Sequence, residues 1–137
     1  MIFVNSMSDL FHAQIPDGTI AQVFAVMALA PTHTFQVLTK RPARMRSLLT
    51  SPDFRWQVWH HMLSLTHVRD LPDQVEHATA LSWPLPNAWM GVSVETQKWA
   101  DIRIPILLAT PARIRFLSME PLPVSYTHLT LPTSDLV

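Results

Sequence analysis

The chain contains no cysteine and only two glycines among its 137 residues. Without cysteine, these residues can form no disulfide framework, no thiolate metal site and no iron–sulfur ligation. Two glycines are few for the loops of a whole α/β enzyme, and the expectation is a piece of a larger unit. Charge is scarce as well: 15% of residues are charged, against about 25% in a typical soluble domain. Ten basic residues balance ten acidic ones, which excludes a polyelectrolyte tail and leaves no electrostatic footprint for nucleic acid. No apolar run approaches the ~18 residues that suggest a membrane span. The N-terminus lacks the basic and apolar regions of a signal peptide, so the expected setting is the cytoplasm, away from any membrane.

What is present is apolar matter, at 48% of residues, punctuated by 12 prolines. The pattern alternates between two periods. Ile2 to Val4 is a short buried-strand run. Pro16-Asp17 opens a helix with Asp17 as the expected N-cap, and Ile20, Val23, Phe24 and Met27 share one face of it. Thr34 to Leu38 reads as a second strand, followed by a helix with Pro42 at its first position and Met45, Leu48 and Leu49 on its inner face. Pro52 and Asp53 restart the chain into Trp56, Trp59, Met62 and Leu63. Residues 69–87 read as a Pro-rich loop. Trp89 to Val94 is a third strand. A helical stretch through Trp99, Ile102, Ile106 and Leu107 follows, restarted at Pro105, and Arg113 to Leu117 is a fourth strand. Four strands alternating with helices predict an α/β fold with a parallel sheet. On this reading the chain is about half of a parallel (βα) barrel. Its inner face and two sheet edges are then uncovered, and Val37, Val92, Val94, Phe116 and Leu117 lack the partners that the missing half supplies.

In such sheets ligands bind outside the carboxyl ends of the strands. Each expected strand ends in polar residues: Asn5 and Ser6, with Asp9 beyond, after the first; Thr39, Lys40 and Arg41 after the second; Ser93 and Glu95 after the third; Ser118 and Glu120 after the fourth. Four such sets on one rim mark a candidate site. Lys40-Arg41 suits a carboxylate or phosphate, or a solvated turn. Glu95 and Glu120 suit a ligand amine or ribose hydroxyls, while Glu95 equally suits the N-terminal dipole of the next helix. Ser6, Ser8 and Ser118 suit helix capping as well.

Seven histidines do not make a metal site. His60 and His61 point to different helix faces, and His12, His33, His67 and His77 show no i, i+4 pairing around a carboxylate. Trp56, Trp59 and Trp99 fall on helical apolar faces and are expected in the core rather than in base stacking. No phosphate-binding glycine loop and no nucleophile elbow occurs. From Val124 onward the character changes: no helical face and no βα logic. One back-translation of residues 124–137 resembles a sequencing adapter read in frame, so residues 123–137 are set apart as a non-native tail.

Three stretches carry a family resemblance: Ile2-Phe-Val-Asn-Ser-Met-Ser-Asp-Leu-Phe-His12, Thr34-Phe-Gln-Val-Leu-Thr-Lys-Arg-Pro42 and Trp89-Met-Gly-Val-Ser-Val-Glu95. Arg115-Phe-Leu-Ser-Met-Glu-Pro-Leu122 agrees. The chain resembles, over residues 2–122, the uncharacterised phage protein family named for gene products thirty-seven and sixty-eight. That resemblance implies a radical-SAM-like βα barrel whose three cysteines, upstream of Ile2, hold a [4Fe–4S] cluster. It implies S-adenosylmethionine and the cluster for the parent, no cofactor in this piece, and no known substrate or partner beyond the missing parts of the barrel. By position Ser93 and Glu95 match residues that hold S-adenosylmethionine, with Lys40, Glu120, Asn5 and Ser6 as further rim residues. Two other readings stay open: S-adenosylmethionine or nucleotide binding without radical chemistry, and a phage interaction module.

Overall fold

A computed structural model describes residues 1–4, 9–65 and 82–119. The elements run β1 (Ile2–Val4), α1 (Asp17–Ala28), β2 (Phe35–Thr39), α2 (Pro42–Leu49), α3 (Pro52–Leu65), β3 (Ala88–Val94), α4 (Gln97–Leu108) and β4 (Ile114–Met119). The fold is α/β, with a four-stranded, all-parallel sheet in the order β1-β2-β3-β4. Sequential order with right-handed crossovers places successive helices on the same side of a sheet.

Register sorts the strand residues onto two faces. Phe35 pairs with Ala88, Val37 with Met90 and Thr39 with Val92; Val92 then pairs with Leu117. Among the described residues, the strand members of the hydrophobic core all come from this face: Phe35, Val37, Ala88, Met90, Val92 and Val94. They pack with Ile20, Phe24 and Met27 of α1, Phe54, Val58 and Met62 of α3, and Ile104 and Leu107 of α4. Edge-to-face ring contacts from Phe24 to Phe11 and Phe54 bind the first loop and α3 into the same core.

The opposite face carries Phe3, Leu38, Trp89, Gly91, Ser93 and Phe116, and it belongs to no part of that cluster. Phe3 is 59% exposed, and Leu38, Trp89 and Ile114 are half-buried. This corrects the expectation for the uncovered residues. Val37, Val92 and Val94 are fully buried beneath the helices, and Leu117 packs against the core from the same side. Of the five, only Phe116 lies on the open face, where its ring covers Gly91. A Cβ on Gly91 would come within 2.5 Å of that ring, so the close approach requires glycine. The strand β3 is apolar at both parities, and only the helices decide which side is inside.

Two more corrections concern the helices. Asp17 is the first helical residue of α1 and not its cap; Pro16 precedes it, and the Asp17 carboxylate instead accepts from Arg44. Pro105 does not restart a helix but lies inside α4, which runs unbroken from a Thr96 cap whose hydroxyl accepts from the Trp99 amide. Its buried face is Ala100, Arg103, Ile104 and Leu107, so Trp99 and Ile102, 37% and 45% exposed, stand outside the core. Trp56 is 52% exposed as well, whereas Trp59 is buried as expected. The end of α1 is closed by Asn87, whose side-chain amide donates to the carbonyls of Met27, Ala30 and His33 at 2.9–3.1 Å. None of the described helices is long and apolar enough to cross a membrane.

Candidate functional site

The carboxyl ends of β2 and β3 are adjacent in the sheet, and the polar residues that follow them meet. Lys40 follows β2 and Glu95 follows β3; their Nζ and Oε1 lie 3.1 Å apart. Arg103, the seventh residue of α4, approaches the same carboxylate from the helix side, with Nη1 at 3.0 Å from Oε2. The same Nη1 also donates to the carbonyl of Ser93 at 2.7 Å. The Arg103 guanidinium stacks on the Trp99 ring at 4.3 Å from its centroid. Arg103 is 7% exposed, so it is a buried cation held by a carboxylate, a carbonyl and an aromatic face.

Burial alone pushes the Glu95 carboxyl up. The hydrogen bond from Lys40 and the charges of Arg103 and Lys40 outweigh it, and the carboxyl sits below its ordinary value. Glu95 is therefore ionised at neutral pH. Its partners differ in freedom: the Lys40 side chain is 57% exposed, while Arg103 is fixed.

A second carboxylate organises the first loop. Asp9 accepts from the Thr39 hydroxyl at 2.7 Å and from the Lys40 amide at 2.8 Å, and caps its own turn by accepting from the Phe11 amide. The buried Thr39 hydroxyl in turn accepts from the Arg41 amide. Asp9 thus ties the segment after β1 to the end of β2 and sets the backbone from which Lys40 extends. Arg44 of α2 completes the clamp by donating to the carbonyls of His12 and Ile15 and to Asp17.

Of the expected site residues, the structure brings Lys40 and Glu95 into contact and places Ser93 beside them, with its carbonyl as an acceptor and its residue 3% exposed. Ser93 pairs in register with Ser118 of β4. Asn5, Ser6 and Glu120 lie outside the described residues, as does the tail from residue 123. Arg103 was missed by sequence reasoning. Its signal was available: it stands three residues after Ala100 and four before Leu107, so an arginine occupies the buried stripe of α4 and demands an anionic partner. Among the described residues no group of three or more His, Asp or Glu could hold a metal ion.

The family model described as "Protein of unknown function (DUF5131)" matches residues 1–137, and the chain belongs to that family. No curated protein and no solved structure matches it.

Proposed function

We propose that the carboxyl edge of this sheet binds the amino-acid end of S-adenosylmethionine, and that the four strands are one arc of a radical-SAM-like βα barrel. The observation that carries the binding reading is the Lys40–Glu95 pair at the strand ends. An α-amino acid presents an ammonium and a carboxylate together. It can replace a lysine–glutamate contact with two such contacts, Lys40 to the ligand carboxylate and Glu95 to the ligand ammonium. Opening the existing pair costs little, because exposed ion pairs contribute about 0–1 kcal/mol. Arg103 keeps Glu95 in place and ionised meanwhile. The arc reading draws on sequential parallel strands with the apolar core on one face only.

The donor set fits S-adenosylmethionine and does not fit an iron–sulfur cluster, since the chain holds no cysteine and no alternative ligand cluster occurs among the described residues. S-adenosylmethionine itself supplies an electrophilic sulfonium, open to nucleophilic attack or to reductive cleavage. This chain's residues bind and orient its amino-acid end. Binding without radical chemistry is the second reading, favoured by the cysteine-free donor set.

The test is calorimetric titration of the full chain with S-adenosylmethionine, methionine and adenosine. S-adenosylmethionine and methionine are expected to bind. Glu95→Gln is expected to weaken both by roughly tenfold to a hundredfold, the loss of one charge-assisted bond. Lys40→Ala is expected to weaken them less, because that side chain is largely solvated. Affinity should fall as pH drops through the lowered Glu95 value, where the carboxylate gains a proton. Equal binding by Glu95→Gln, or adenosine binding as tightly as S-adenosylmethionine, would overturn the assignment.

A further inference from the structure

Of the α4 residues that sequence periodicity put on one face, Leu107 is in the core and the other three are not. Trp99, Ile102 and Ile106 instead line one wall of a groove of about 350 Å³ between α4 and the start of α2. The volume lies within the range typical of small-molecule sites, ~300–1,000 Å³. The rest of the lining carries four cations: Lys40 and Arg41 from the link between β2 and α2, Arg44 from α2, and Arg103 from α4. Two carboxylates contact these four cations, Asp17 on Arg44 and Glu95 on Lys40 and Arg103. Arg41 is exposed and has no side-chain bond to any described residue. Positive charge therefore exceeds negative charge along this wall, opposite an apolar wall of Ile102, Ile106 and Trp99, whose indole is 37% exposed and carries Arg103 stacked on it.

We infer that this groove is a second binding site, taking a small organic oxyanion (a phosphate or carboxylate) joined to a flat apolar body. The oxyanion sits against Arg41, whose planar fork presents paired donors to such a group. The flat body lies along Trp99, Ile102 and Ile106. Lys40 is shared with the Glu95 contact, so the groove opens beside the rim described above. The inference itself stands without the S-adenosylmethionine reading, because Arg41, Trp99 and Ile102 take no part in it.

The experiment is a titration of the full chain with phenyl phosphate, followed by calorimetry, with benzoate, inorganic phosphate and benzyl alcohol alongside. Phenyl phosphate is expected to bind more tightly than inorganic phosphate, and benzyl alcohol not at all. Benzoate against phenyl phosphate distinguishes the carboxylate from the phosphate. Arg41→Ala should weaken phenyl phosphate roughly tenfold, one charge-assisted contact, and Arg41→Lys should restore part of that loss. Ile102→Glu, at an exposed position, places a carboxylate in the groove and should abolish binding while the melting transition is kept. Glu95→Gln should tighten phenyl phosphate, because it removes the anion shared by Lys40 and Arg103; the same change weakens S-adenosylmethionine, so the two readings fail separately. The inference is overturned if phenyl phosphate does not bind, if it binds no better than inorganic phosphate, if Arg41→Ala and Ile102→Glu keep full affinity, or if Glu95→Gln weakens it.

Discussion

One face of the sheet is closed and the other is open, although both are built from the same four strands. On the closed face Val37, Met90, Val92 and Val94 are within 3% of complete burial, beneath three helices. On the open face Phe3 is 59% exposed, and Phe116, the one large buried side chain there among the described residues, rests on a glycine. The difference shows that helices with a single apolar stripe can finish only one side of a parallel sheet. All-parallel sheets normally have both faces covered, and among the described residues only one face of this sheet carries the helices. The open face is the one on which Ser93 and Ser118 stand side by side, near the candidate site.

The contrast can be broken by substitutions that should differ in cost. Met90→Ala, on the closed face, is expected to destabilise the chain by about 2–5 kcal/mol through lost burial and the cavity left behind. Chemical denaturation measures it directly. A cost under 1 kcal/mol would mean that the core is loosely packed. Gly91→Ala is expected to cost about 1–3 kcal/mol by forcing the Phe116 ring aside. The double variant Gly91→Ala with Phe116→Leu should recover part of that loss, which ties the cost to this contact. Phe3→Ala is expected to change stability by no more than about 0.5 kcal/mol, as for an exposed side chain. A large effect there would mean that another surface, from this chain or a second one, covers the open face in solution.

The strand and helix order was legible because prolines and apolar runs punctuate it: Pro16, Pro42 and Pro52 each stand at a helix start. Lys40 and Glu95 were legible as rim residues because each directly follows a strand. The side of the sheet was not legible. Trp89, Met90, Gly91, Val92 and Val94 are apolar at both parities, and local pattern cannot rank two apolar faces. The α4 face was legible only in part for a related reason: Leu107 is buried as the pattern suggests, but Trp99, Ile102 and Ile106 stand outside the core, and Arg103 occupies the buried side because Glu95 and the Ser93 carbonyl satisfy it there. A pairing between elements decided what periodicity alone could not.

Asn87 closes the end of α1 from as far as 60 residues away in the chain. α1, β2, α2 and α3 all precede that residue in the order of synthesis. Until then the carbonyls of Met27, Ala30 and His33 lack their side-chain donor, and β2 has β1 on one side but no β3 on the other, where the Phe35 amide waits for the Asn87 carbonyl. The N-terminal βαβ segment therefore completes its hydrogen bonding only once Asn87 is in place. A chain that stops before residue 87 lacks the Asn87 bonds and leaves the β3 side of β2 unpaired, an open strand edge of the kind that templates pairing with other chains.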